Sequence, residues 1–220
     1  MGIVFVIFIH LIFIFILSSI IAFFGGLIFY LLSKENRQKR KLFLVGISPY
    51  LFLYTIYFLA LIGSIIVSEN KNVDIGIGDS WYVPINDSYQ ILMIDLPEQA
   101  SIQYKEESLI SDVSHIEQIK EKVYGKTFEG KYFSLNLANN IFTEYDSRNE
   151  LLNKERLRKL DLIKTIDFYD KRKWEISGTA TIIVGILSLL ISLTITIIFW
   201  KLVLYGFKIF ERKKTTANTC

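Results

Sequence analysis

Few residues in this chain are of the types that do chemistry, and their spacing argues against most of it. The two histidines are His10 and His115, and Ser114 precedes the second. Neighbours on a strand point to opposite faces, so Ser114 and His115 are not expected to act as nucleophile and base. Cys220 is the single cysteine, which excludes an intrachain disulfide and a His/Cys metal site around His115. Asp74 and Asp79 flank Gly76 and Gly78, but the ligand spacing of an EF-hand loop is missing. Asp95, Asp112 and Asp146 would have to be brought together by the fold before any acid–base pairing. Phosphate-loop, dinucleotide and nucleophile-elbow patterns are absent from the sequence. What the residue types do suit is recognition. Trp81, Tyr82, Tyr104 and Tyr132 are large amphipathic side chains of the kind that anchor protein interfaces. The expectation is a non-enzymatic protein with no cofactor and no metal.

The elements that must hold these residues are set by three apolar runs, 3–32, 42–67 and 176–204. Each exceeds the roughly 20 residues a helix needs to cross a bilayer core. Residues 69–175 between the second and third hold 20 acidic and 15 basic residues, a net −5; the rest of the chain is +8. Lys34, Arg37, Lys39, Arg40 and Lys41 fill the linker 33–41, and Lys208, Arg212, Lys213 and Lys214 fall in the tail 205–220. Short basic loops stay cytoplasmic, so both are expected inside, with the N-terminus and the domain 68–175 outside. Lys171, Arg172 and Lys173 on the outer side argue weakly the other way. The start of the chain lacks a signal-peptide pattern, so the first span is expected to stay attached.

The spans carry no deep Asp, Glu, Lys or Arg, which disfavours a pore or proton path built from one copy. Their small residues suit close helix packing, within a three-helix bundle or against a partner helix. Ser18, Ala22 and Gly26 recur every four residues in the first span. Thr181, Gly185, Ser188 and Ser192 form a stripe in the third, while Gly46, Tyr50, Tyr54 and Tyr57 share a face of the second. Pro49 is expected to kink that span. His10 falls near the outer end of the first.

In the outer domain, Trp81, Val83 and Ile85 alternate, as do Tyr89, Ile91 and Met93, which predicts two strands joined by a turn at Asn86–Ser88. Pro84 lacks an N–H and puts its strand at an edge or a bulge. Ala100, Ile102 and Tyr104 suggest a third strand, and 131–137 and 141–145 two more around Asn139 and Asn140. Residues 112–123 fit two periods: Ile116, Ile119 and Val123 share a helical face, while Val113, His115 and Glu117 alternate as in a strand, and β-branched apolar positions tip the reading slightly towards strand. Ser147 and Glu150 form a capping box for a helix over 148–160, and a second amphipathic helix over 162–174 is expected to run into the third span, with Trp174 at the interface. The fold class is therefore a membrane protein with three transmembrane helices and a small α+β extracytoplasmic domain, an antiparallel sheet followed by helices.

The run Gly78-Asp-Ser-Trp-Tyr-Val-Pro-Ile85, with Tyr89, Asp95, Tyr132, Phe133 and Tyr145, resembles uncharacterised extracytoplasmic membrane proteins of Bacteroidota-type bacteria. The resemblance covers the outer domain alone. It implies a bacterial inner-membrane setting and carries no activity. The expected partners are the lipid bilayer and a protein, either a second copy or a subunit of an envelope complex, with no nucleic acid. The runner-up reading is a ligand-sensing or transport accessory relaying through the third span.

Overall fold

The computed structural model describes residues 2–32, 38–105 and 107–205. Linker residues 33–37, most of the basic tail and Cys220 lie outside them. The apolar runs form α1 (Ile3–Leu32), α2 (Gln38–Lys71) and α4 (Thr165–Tyr205), each long and apolar enough to cross a membrane. Helix α2 runs unbroken through Pro49. The chain divides into a helical unit, Val4–Ser64 with α4 from Thr181 onward, and a sheet unit built on Ile65–Ala180.

Within the helical unit the tyrosine face of α2 meets α1. Tyr50 shares a 2.8 Å hydrogen bond with Ser19, Tyr54 donates to the Leu11 carbonyl (3.1 Å), and Tyr57 sits 3.2 Å from His10 Nδ1. With no water in a hydrocarbon layer, each contact satisfies a hydroxyl inside the protein. Gly25 lets Val45 approach: a Cβ there would stand 3.3 Å from its methyl. Ser18, Ser188 and Ser192 are buried, Ala22 and Gly26 half-buried, and Thr181 and Gly185 exposed. Ser192 donates to the Phe52 carbonyl at 2.7 Å. At Gly63 the Val184 side chain fills the place of the missing Cβ, whereas a Cβ added at Gly46 or Gly185 would meet nothing within 4 Å.

The sheet unit holds two antiparallel sheets, not one. The first is β1 (Ser80–Pro84), β2 (Tyr89–Ile94), β3 (Leu96–Tyr104) and β4 (Glu107–Ile110), in that order. The second runs β8 (Ile141–Tyr145), β7 (Tyr132–Asn136), β6 (Lys122–Thr127), β5 (Val113–Ile119), β9 (Ile163–Lys164). Strand β1 is an edge, as Pro84 requires. Asn86 Oδ1 closes the first hairpin by accepting from the N–H groups of Ser88 and Tyr89, both at 2.9 Å. The segment 112–123 is strand, but it is a strand, a hairpin turn and the start of a second strand. Lys120 takes φ 56° there, the conformation glycine or asparagine usually supplies, so its residue type concealed the turn.

One core lies on Val83, Ile91, Met93 and Ile102 from the first sheet and Ile116, Val123, Phe133 and Leu135 from the second, all at most 1% exposed. Each such side chain contributes about 1.5–3 kcal/mol by leaving water. Gly125 has no Cβ because the Phe133 ring and the His115 carbonyl occupy that space. The other face of the second sheet builds a smaller core, with Tyr124 and Tyr145 under Leu151 and Leu160.

The expected helices of the domain have other bounds. Helix α3 spans Arg148–Lys154, with Ser147 Oγ accepting from the Glu150 N–H at 3.2 Å, but it ends well before 160. Glu155 is drawn to the sheet and Arg156 takes φ 54°, which turns the chain away. The helix expected over 162–174 begins three residues late but, as expected, runs on without a break into the third span. Ile163 lies in β9, 38% exposed, and the helix starts at Thr165, whose hydroxyl donates to the Val113 carbonyl at 2.7 Å. The domain is thus a two-sheet unit followed by the short helix α3 and the first turns of α4, rather than a single sheet followed by helices.

Candidate functional site

Three polar constellations and one cleft stand out in the sheet unit. At Ser114 and His115 the expectation that the side chains point apart fails. The register of β5 shifts between Val113 and His115, and the bulge brings His115 Nδ1 to 3.1 Å from Ser114 Oγ. The Ser114 proton is committed to the Lys126 carbonyl at 2.8 Å, so the hydroxyl meets the imidazole as an acceptor. That polarity does not activate a nucleophile.

The second constellation surrounds Asp74, 5% exposed. It accepts from Tyr169 Oη (2.5 Å), Lys173 Nζ (2.8 Å), and the N–H groups of Gly76 (2.7 Å) and Tyr82 (3.3 Å). Lys173 also reaches Tyr169 Oη at 2.8 Å. Burial, then the Asp74 carboxylate, hold the Tyr169 hydroxyl far above its ordinary range. Asp74 is therefore a clasp between the segment after α2 and the start of α4. Both its oxygens are taken. Gly76 accommodates the turn with φ 76°.

The third is Glu155, which accepts from Lys122 (2.7 Å), Tyr145 (2.8 Å), Ser134 (2.9 Å) and Tyr124 (3.4 Å). Burial alone would push its carboxyl up, but the bonds from Lys122, Tyr145 and Ser134 outweigh it and hold it below the usual range. Tyr124 is pushed up to about 12 by burial and by the Glu155 charge. This cluster pins the end of α3 to the second sheet. Asp146, with Glu144, holds Lys131 at 3.0 Å, while Asp95 and Asp112 occupy left-handed turns with φ 60° and 57°. The three aspartates proposed from sequence thus have separate tasks. Among the described residues no three His, Cys, Asp or Glu side chains form a metal-holding group.

The four candidate aromatics are all half-buried and do not form one patch. Trp81 and Tyr104 lie on the core face of the first sheet, where Tyr104 packs at 4.9 Å on Tyr89. Tyr82 pairs in register with Leu92 on the opposite face, its hydroxyl 3.4 Å from Ser68. Tyr132 flanks the smaller core, with Lys126 5.7 Å from its ring.

Two surface features were not legible beforehand. Edge strand β8 exposes Ile141 (56%) and Phe142 (39%) beside Glu144. The other is an open cleft of about 330 Å³ between the β5–β9 edge and α4. Glu117 and Asp161 stand on the sheet side, and the Asp161 N–H donates to Glu117 at 2.5 Å. Phe168, Lys171, Arg172 and Glu175, at helical spacing, form the α4 wall. Arg172 is engaged with the carbonyls of Pro84 (3.2 Å) and Ile85 (3.1 Å).

Compared with known proteins, the chain matches no family model, no curated protein and no solved structure. The functional reading therefore rests on the chemistry of these surfaces.

Proposed function

We propose that this chain is a non-enzymatic membrane protein whose sheet domain, facing out of the cytoplasm, holds a protein partner, as a subunit of an envelope complex or as an immunity-type protein. The observation that carries the reading is edge strand β8. Its outer side has no neighbouring strand among the described residues, and Ile141 and Phe142 are exposed along it. An open edge with exposed apolar side chains is a template for another extended chain, and soluble domains usually blunt such edges. Glu144 and Asp146 share a single Lys131, so the margin is net acidic and suits a partner strand that pairs an apolar residue with a basic one. The basic linker, opposite in charge to the domain, supports a cytoplasmic linker and tail with residues 68–175 outside. The sequence resemblance supports a bacterial inner membrane.

The test is purification of the full chain in mild detergent beside an Ile141→Lys variant, with mass spectrometry of what stays bound. The expected result is a stoichiometric partner that the variant loses while its sheet domain stays folded. A solitary wild-type protein, or a partner held equally by both, overturns the reading.

A second reading, a ligand-sensing accessory, is favoured by the cleft against α4. It predicts that a ligand slows hydrogen exchange in the first turns of that helix.

A further inference from the structure

Resting on that second reading, we propose that the cleft between the β5–β9 edge and α4 binds a short peptide-like zwitterion with an apolar side chain. Its two walls carry opposite unspent charge. On the sheet side Glu117 takes one backbone N–H and has a further oxygen open, while the Asp161 carboxylate beside it is spent on Lys159, at 2.7 and 2.8 Å. On the helix side Arg172 is held by two carbonyls and lies 3.5 Å from Glu175, which leaves Lys171 as the available cation. Among the described residues no ion pair bridges the walls, so the charges face one another across an open gap.

A molecule with an ammonium at one end and a carboxylate at the other satisfies both walls at once. A purely cationic or anionic ligand satisfies one and meets repulsion at the other. Between the walls, Ile163, 38% exposed, and the half-buried Phe168 supply apolar surface. That is where the side chain of an amino acid or dipeptide projects from between its two termini. A phospholipid headgroup also carries both charges, but it is polar between them and leaves this surface uncovered. The volume, about 330 Å³, is at the small end of ligand pockets and fits one or two residues rather than a long segment.

The test uses the full chain in detergent, with L-leucyl-L-leucine as probe in titration calorimetry. Controls are the same peptide N-acetylated, C-amidated or both, and glycerophosphoethanolamine. The expected result is saturable binding of the free dipeptide, weakened about tenfold or more by Lys171→Met, by Glu117→Gln and by blocking either terminus. Both substitutions are on exposed or half-exposed side chains, and Gln keeps an acceptor for the Asp161 N–H, so folding is preserved. No binding, binding indifferent to both substitutions, or tighter binding of glycerophosphoethanolamine overturns the proposal. Binding with the expected losses but unchanged exchange in α4 upholds the cleft and sinks the sensing reading instead.

Discussion

Replacing Asp74 tests whether the buried clasp is an electrostatic unit. Its side chain is 4% exposed and that of Lys173 24%, so breaking the pair leaves a poorly hydrated charge behind. In Asp74→Asn the amide keeps an acceptor for Tyr169 or Tyr82, but its NH₂ group meets the donors of Lys173 or Gly76. Removing one partner of a buried pair typically costs about 3–5 kcal/mol; the partial exposure of Lys173 places Asp74→Asn near the lower end, about 3 kcal/mol. Lys173→Met leaves Asp74 with three donors, Tyr169 and the N–H groups of Gly76 and Tyr82, so it should cost less, about 2 kcal/mol. The double variant buries no uncompensated charge, and the coupling between the two sites should reach about 1.5 kcal/mol or more. Native-state hydrogen exchange in detergent reads this locally, through the Tyr82 amide and its neighbours in β1, without requiring two-state unfolding of the whole chain. Additive single effects, or an Asp74→Asn cost below about 1 kcal/mol, would show that the cluster is held by packing and not by its charges.

Two further outcomes follow from the same contacts. The Glu155 carboxyl is held below its ordinary range, so its contribution is fully present above that range and is lost as pH falls through the folded-state value. Protection of β6 and β7 amides should therefore drop between about pH 5 and about pH 3 in the wild type, and Glu155→Gln should flatten that drop while lowering protection at neutral pH. In the helical unit, Gly63→Ala places a methyl on the Val184 side chain and should destabilise the full chain in detergent by about 1–3 kcal/mol, with Val184→Ala restoring part of the loss in a thermal-aggregation assay.

The parts of this fold that were legible in the sequence are those set by local periodicity. The apolar runs announced α1, α2 and α4, and Tyr50, Tyr54 and Tyr57 were grouped on one face from their spacing alone; all three reach α1. The inward sets Val83 with Ile85, and Tyr89 with Ile91 and Met93, also follow from a period of two. The misreadings share a different cause. Leu157 and Leu160 carry helical spacing after a good cap, so 148–160 read as one helix, but the signal that ends it is Glu155. That residue's partners, Lys122, Ser134 and Tyr145, come from three strands, and no window around Glu155 contains them.

Asp74 makes the same point more sharply. From its neighbours it looked like a loop carboxylate beside glycines, a weak cation candidate. Its decisive partners, Tyr169 and Lys173, are 95 and 99 residues away. Their i, i+4 spacing was visible, but nothing in it says that the side of the helix they share faces a carboxylate. Apolar burial is encoded by pattern because any neighbouring apolar surface serves, whereas a buried charge needs one particular partner, and the partner's address is a property of the topology. The cleft obeys the same logic. Lys171 and Glu117 are unremarkable charged residues until the β5–β9 edge and α4 set them on opposite walls, and the unpaired state of that arrangement, rather than either residue, is what makes it a candidate for binding.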